Sequence, residues 1–370
     1  MNFDPTEDQA LLKAAVERAA RETHGLDMER RRRQRACPGG FDRAGWARLA
    51  ELGVTALPFA EADCGLGGGP VETILVAEAL GAALATEPFT DCLVPAARLF
   101  AQASDAAERA GFIGPVIGGD RLPALAVLEA AGRYNLAHVE TRARLADGGW
   151  RLSGGKAAVW QGMAADWLIV SARLSGDVRA PEGIGLFLVE AGAAGVERRG
   201  WRAADGQLAA ELTLRDAPAR EIAGAGLDAL VEAVRIAWLS ASAEMLGLAG
   251  LLFETTLAYV KAREQFGQPL GRFQVIQHRL TDSYVALEQA RSMVYRAALA
   301  DPAERPRAID AAFAYVGEAA RAIAHEAVQF HGGMGVTDEL LVGHGLKRIQ
   351  LLSRLWGEPR MAARRYAAAA

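Results

Sequence analysis

Two segments of this chain hold residue types that can do chemistry. The first is Arg263-Glu264-Gln265-Phe266-Gly267-Gln268-Pro269-Leu270-Gly271, followed by Phe273 and Gln274. A guanidinium beside an aromatic ring and a glycine turn can hold a phosphate and pack on a flat ring system. The same residues also suit a plain helix C-terminus, with arginine against the dipole and glycine ending the helix. The second is Gln329-Phe330-His331-Gly332-Gly333-Met334-Gly335. Its glycines let a ligand approach backbone N–H groups, and a turn between two helices would read the same way. No strand precedes it, so it is not a dinucleotide-binding fingerprint of the strand–turn–helix kind.

Other chemistries find no support. His24, His138, His278, His325, His331 and His344 show no HExxH spacing. Cys37, Cys64 and Cys92 form no CxxC, so neither a metal site nor a disulfide framework is expected. The glycine run from Cys64 to Pro70 lacks the Lys-Ser/Thr of a P-loop and reads as an interhelical loop. The basic run from Glu29 to Ala36 reads as a solvated face, with contact to CoA phosphates or a partner as the alternative.

Those segments must be positioned by a sizeable fold. The chain has 370 residues, room for two or three domains, and 51% apolar with 23% charged residues is ordinary globular composition. A net charge of −4 argues against a nucleic-acid partner. Up to Gly119 the pattern is helical. Leu11, Leu12, Ala15 and Val16 follow a Thr6-Glu7-Asp8 start, and Val71 to Leu84 follows Pro70. From Leu122 the texture is β. A hairpin is expected over Asp147-Gly148-Gly149, with strands at Leu168–Val170, Ile184–Val189 and Leu212–Leu214. The helical pattern then returns. Leu227 to Glu264 is apolar nearly all round, as in a helix buried in a bundle rather than a membrane span. Further helices are expected at 274–300, 306–330 and 341–368. The expected division is 1–119 helical, 120–225 β and 226–370 helical, an α+β chain. The acidic start lacks the apolar core of a signal peptide, so a cytoplasmic location is expected.

The two segments together, in a helical half behind a β domain, closely resemble the acyl-CoA dehydrogenase family. The resemblance implies an N-terminal helical domain, a middle β domain and a C-terminal four-helix bundle, assembled as a dimer or tetramer. It implies FAD as cofactor, an acyl-CoA substrate and an electron-transfer flavoprotein as electron acceptor. By the same resemblance Arg263 contacts the FAD pyrophosphate and Phe266 packs near the cofactor. Gln274 matches a polar position of that segment. Gln329, Gly332 and Gly333 hold the adenosine end, often across a subunit boundary. The family's KxWIT(N/S)G stretch reads here Lys156-Ala157-Ala158-Val159-Trp160-Gln161-Gly162, which puts Trp160 beside the flavin. Its TEPGAGSD stretch reads Leu128-Glu129-Ala130-Ala131-Gly132-Arg133-Tyr134-Asn135.

The family's chemistry removes an α-proton from a thioester while a hydride leaves the β-carbon, and it needs a carboxylate base. Counting from the motifs, the two usual base positions fall on Trp356 and Ala237, neither of which can accept a proton. Glu358 stands two residues beyond the first and is the expected base. Glu244, two turns along the helix from Ala237, is expected to be a structural buried carboxylate. The stretch from Glu339 to Pro359 resembles a bacterial branch that includes the small subunit of pimeloyl-CoA dehydrogenase, some of whose members pair unlike subunits. The alternative is therefore a non-catalytic subunit that shares an FAD site while its partner carries the base. A third reading is a member with diverted chemistry, such as an oxidase or desulfinase.

Overall fold

The computed structural model describes residues 3–101, 106–146 and 148–368. The chain forms two compact units, Met1–Arg33 with Pro70–Ala85 and Trp238–Ala370, and Gln34–Gly69 with Thr86–Ala237.

The first unit is helical. Helix α1 (Glu7–His24) opens with a capping box: Thr6 Oγ1 accepts the Gln9 N–H, and the Gln9 side chain accepts the Thr6 N–H. Gly25 ends it at φ 60°. Helix α2 (Met28–Ala36) carries the basic run into the second unit. Its arginines are not simply solvated. Arg31 is buried and donates to the Leu84 carbonyl, and Arg30 donates to the Glu22 and Thr23 carbonyls. Helix α4 (Pro70–Ala82) is buried along most of its length. Its Glu78 accepts from Lys13 Nζ (3.1 Å), Arg291 Nη1 (2.7 Å) and the Tyr295 hydroxyl (3.2 Å). One carboxylate thus ties together α1, α4 and α8 (Gln274–Leu299).

Helix α7 (Leu227–Ala262) begins in the second unit and ends in the first. It is long and apolar enough to cross a membrane, and 83% of its most apolar stretch is buried inside the protein, as a bundle core requires. It meets α4 backbone to backbone. A Cβ on Gly81 would lie 2.2 Å from the Glu244 carbonyl, and one on Gly247 would lie 2.1 Å from the Glu78 carbonyl. Helices α9 (Arg305–His331), α10 (Leu341–Leu352) and α11 (Pro359–Ala368) complete the unit.

The single helix expected over 341–368 is two helices, broken between Ser353 and Glu358. Trp356 sits at φ 54°, and a Cβ on Gly357 would lie 2.2 Å from the Trp238 ring. Pro359 then starts α11 at its first position, where its missing N–H costs nothing.

The second unit contains α3 (Arg43–Glu51), α5 (Val94–Phe100), α6 (Ala106–Ile117) and seven strands. These are β1 (Pro123–Ala126), β2 (Arg142–Ala146), β3 (Gly149–Trp160), β4 (Trp167–Arg173), β5 (Ile184–Glu190), β6 (Val196–Arg202) and β7 (Leu208–Glu221). The pairings β4–β2–β3–β7–β5–β4 close a ring, with β1 added beside β4 and β6 beside β7. Closure satisfies backbone groups that an open sheet would leave at its edges. Ala146 pairs with Gly149 across the expected hairpin, whose Asp147 lies outside the described residues.

Candidate cofactor site

Helix α7 stops at Ala262, and the chain folds into a small hairpin, β8 (Glu264–Gln265) and β9 (Gln268–Pro269). The Leu270 N–H closes it on the Arg263 carbonyl at 2.8 Å. Phe266 and Gly267 occupy the two-residue turn at φ 55° and 79°, the positive pair a type I′ hairpin demands. Glycine suits that conformation and phenylalanine does not. Phe266 is also 90% exposed, with Phe273 edge-on to its ring at 6.1 Å. A strained turn that holds an aromatic ring in water is a signature of a surface meant to be covered. Arg263 is exposed beside it, its N–H held by the Tyr259 carbonyl at 2.8 Å. Gln274 opens α8 and is exposed.

The second segment ends α9. Gly332 turns the chain at φ 60° into a short 3-10 turn, Gly332–Val336. A Cβ on Gly332 or Gly333 would meet nothing within 4 Å, so both glycines face open space. Gly335 is different: a Cβ there would lie 2.7 Å from the Val328 carbonyl. Gln329 is exposed. The helices that carry the two segments meet where His331 stacks on Tyr259 with centroids 4.2 Å apart, and where Arg279 of α8 lies over the Phe330 ring at 4.9 Å. His331 is buried, and its Nδ1 donates to the Ala327 carbonyl at 2.8 Å. The following loop is tied down at Asp338. Its carbonyl accepts from Arg32 Nη2 (3.2 Å) and His344 Nε2 (3.1 Å), and its carboxylate accepts from Lys347 Nζ (3.1 Å). The Lys347 hydrogen bond and charge hold the Asp338 carboxyl below its ordinary range.

In the second unit Trp160 ends β3 next to a bulge between Lys156 and Val159. Ala158 at φ 49° and Gln161 at φ 56° flank it, so the strand is strained on both sides of the indole. Trp160 is half-buried, edge-on to Trp201 at 5.8 Å. Gln161 is fully buried. Among the described residues neither atom of its amide has a partner, nor has the Trp160 indole N–H. Each such orphan costs about 1–3 kcal/mol. Gln161 is a polar feature that the motif reading passed over. It lies in the turn that follows β3, and nothing in the sequence signals that its amide is left unpaired.

The strand's position relative to the Leu128–Asn135 loop is set by a buried ion pair. Glu129 accepts from Lys156 Nζ (2.6 Å), Thr141 Oγ1 (2.7 Å) and the N–H groups of Glu140 (2.6 Å) and Thr141 (3.0 Å). Lys156 also donates to Ser171 Oγ at 3.0 Å. Burial works to raise the Glu129 carboxyl, but Lys156 and these hydrogen bonds outweigh it and hold the group below its ordinary range. Burial pulls the Lys156 ammonium down to about 8, with Glu129 opposing the fall. Glu129, His138 and Glu140 bring possible metal-ligand atoms within 4.8 Å of one another. One oxygen of that group, Glu129 Oε1, is already taken by the Lys156 ammonium.

The candidate base lies in the turn between α10 and α11. Trp238 clamps this turn: its indole N–H donates to the Leu355 carbonyl at 2.8 Å, and its ring stacks on Phe313 at 4.7 Å. Trp356 is 1% exposed and its indole N–H has no partner among the described residues. Ala237 is likewise buried. Glu358 is half-buried, and its carbonyl accepts the Met361 and Ala362 N–H groups that begin α11. Glu244 accepts from Arg348 Nε at 2.7 Å, with both side chains under a tenth exposed. Its charge is committed to that pair. The Cys64–Pro70 loop forms no phosphate cradle. The N–H groups of Gly65, Leu66, Gly67 and Gly68 all bond to carbonyls between Ala56 and Ala60.

Comparison with known proteins agrees along the whole chain. Models of the N-terminal, middle and C-terminal domains of acyl-CoA dehydrogenases match residues 6–120, 124–217 and 224–369. The acyl-CoA dehydrogenase FadE27 of Mycobacterium tuberculosis is 31% identical over 309 residues, 80% of this chain and 79% of the relative. Among solved structures, the Tcur3481–Tcur3483 steroid ACAD superposes with a TM-score of 0.87 at 30% identity, covering 98% of this chain and 97% of that one. The ChsE4–ChsE5 complex of Mycobacterium tuberculosis gives 0.88 at 27% identity, covering 100% and 98%. This chain belongs to the acyl-CoA dehydrogenase family, the FAD-dependent oxidoreductases that act on CH–CH bonds of acyl-CoA thioesters.

Proposed function

We propose that this chain forms a 2,3-enoyl-CoA from an acyl-CoA, with Glu358 as the base that takes the α-proton. The observation that carries the base is the clamped turn. Trp356 and Ala237 stand at the family's base positions and cannot accept a proton, and Glu244 is committed to Arg348. Glu358 is the carboxylate that the same turn offers, on a backbone held by Trp238 at the Leu355 carbonyl and by α11 at the Glu358 carbonyl. A general base must come within hydrogen-bond reach of the proton it removes, so a fixed turn suits the task.

FAD, when bound, supplies the acceptor for the hydride leaving the β-carbon. The residues present fit it: an exposed guanidinium, an uncovered ring and two glycines facing open space. Arg263 would hold the pyrophosphate by charge-assisted hydrogen bonds. Phe266 would pack on the cofactor, Gln274 would hydrogen-bond within the same segment, and Gln329, Gly332 and Gly333 would take the adenosine end. Trp160 would cover the flavin.

We place the chain in a dimer or tetramer, with a copy of itself or with a related, unlike subunit. Exposed Val275, Met334 and Val336 beside the two segments support a covered surface there. Two relatives above a quarter identity, the Tcur3481–Tcur3483 and ChsE4–ChsE5 structures, carry paired chain names, which supports an unlike partner. Membership of the branch with the pimeloyl-CoA dehydrogenase small subunit, a role in fatty acid metabolism, an electron-transfer flavoprotein as acceptor and a cytoplasmic location complete the reading. So do domain boundaries at 119/120 and 225/226.

Glu358→Gln tests the base. The amide keeps the side chain's size but cannot take the proton. Flavin bleaching by a saturated acyl-CoA without oxygen should slow by about 10²-fold or more, with acyl-CoA binding retained. Undiminished bleaching by the isolated variant would remove Glu358 from the role. Bleaching only after an unlike chain is added, indifferent to Glu358→Gln, would give the base to the partner.

A further inference from the structure

The two glycine-bearing segments are far apart in sequence, yet both must be in register for one cofactor to span them. One contact between the helices that lead into them is Tyr259 of α7 against His331 of α9. Tyr259 lies in the last turn of α7, and its carbonyl takes the Arg263 N–H at 2.8 Å. Any tilt of that turn moves Arg263 with it. His331 is the last residue of α9 and immediately precedes Gly332. Its ring is fixed on both sides. Nδ1 donates to the Ala327 carbonyl at 2.8 Å, and the ring plane lies 25° from that of Tyr259 with centroids 4.2 Å apart. A carbonyl only accepts, so the proton sits on Nδ1 and the ring cannot flip without losing the bond. Buried at 6% exposure, His331 is a poor candidate for direct contact with a ligand. Along the chain His331 leads directly into Gly332 and Gly333, which face open space, and Tyr259 holds the N–H of the exposed Arg263.

We propose that Tyr259 and His331 are positioning residues for the cofactor. Their stack sets the distance between the guanidinium that meets the pyrophosphate and the glycines that meet the adenosine end. This inference rests on the cofactor assignment to those two segments. An aromatic pair is worth enough to hold this register without touching the ligand, and its loss should weaken FAD binding by about three- to tenfold.

The test uses the full chain stripped of flavin and titrated with FAD, read by quenching of flavin fluorescence. Tyr259→Leu should weaken binding by about three- to tenfold, and Tyr259→Phe, which keeps the ring, should restore it. The melting temperature of the flavin-free protein should change little between these two variants, because the loss is one of register and not of fold. Wild-type affinity in Tyr259→Leu would overturn the inference. So would failure of Tyr259→Phe to rescue, or a fall in the flavin-free melting temperature that tracks the lost affinity. Arg263→Ala separates this from the underlying assignment. If it weakens FAD while Tyr259→Leu does not, the positioning role alone fails. If Arg263→Ala leaves FAD affinity unchanged, the assignment of the segments fails and the inference with it.

Discussion

Replacing Arg348 by methionine removes the partner of Glu244 while keeping most of the side chain's volume. The pair joins α7 to α10, 104 residues apart, at 2.7 Å, with the side chains 3% and 8% exposed. A carboxylate left without its cation in such a place loses its attraction and keeps its desolvation penalty. Removing one member of a buried pair costs about 3–5 kcal/mol. For a unit of this size that corresponds to a fall in melting temperature of about 6–20 °C, at about 2–4 °C per kcal/mol. Thermal unfolding followed by far-UV circular dichroism reads it. The double variant Glu244→Leu with Arg348→Met should recover most of the loss, since well-packed apolar replacements of buried pairs are often neutral. The catalytic consequence is separate. A Glu244 engaged in structure leaves no proton acceptor at this point of α7, so the double variant, once folded, should still bleach with acyl-CoA. A single variant as stable as wild type would refute the buried-pair reasoning. Abolished bleaching in a stable double variant would make Glu244 a member of the catalytic machinery.

Further predictions follow from other contacts. Gly247→Ala should destabilise by more than the about 1–3 kcal/mol of ordinary overpacking, because the new methyl meets the Glu78 backbone at 2.1 Å and not a movable side chain. Denaturant unfolding of that variant checks it. Glu129 is held below its ordinary carboxyl range, so its stabilising contribution is full above the unfolded value near 4.5 and is lost as pH falls through the folded value. Wild type should therefore lose its stability advantage over Glu129→Gln on acidification below that point, and a pH-independent gap between the two would contradict the ion-pair account. Phe266→Ser should leave the flavin-free protein at least as stable as wild type, since the ring is 90% exposed, while weakening FAD retention on dilution. A large loss of stability without flavin would mean that the ring packs in the protein itself.

What the sequence made legible is what depends on neighbours along the chain. Thr6-Glu7-Asp8 marked the start of α1, the apolar run after Leu227 marked the core helix, and glycine beside Asp147 marked the turn between β2 and β3. The family motifs marked the two exposed segments. The break between α10 and α11 was hidden because Leu351, Leu352, Leu355 and Trp356 keep a helical apolar spacing through it. Gly357 is required there by the Trp238 ring, a contact between residues more than a hundred positions apart. Distance in sequence also concealed the partners of single charges. The basic run on α2 looked solvated, yet Arg31 is buried against Leu84. His331 lies in a glycine motif, and the packing of its ring on Tyr259, 72 positions away, could not be read from it. The unpaired amide of Gln161 could not be read at all. Whether a buried polar group has a partner depends on every strand around it.

The central claim is that this chain holds FAD and passes hydrogen from an acyl-CoA to it. The most direct measurement is the visible absorbance of the purified full chain, with the released cofactor identified by chromatography, before and after an acyl-CoA is added without oxygen. The account predicts a yellow protein that releases FAD and whose flavin band bleaches on mixing. A chain that takes up no FAD, alone or with an unlike partner, would contradict it, as would a flavin band that no acyl-CoA bleaches in either form.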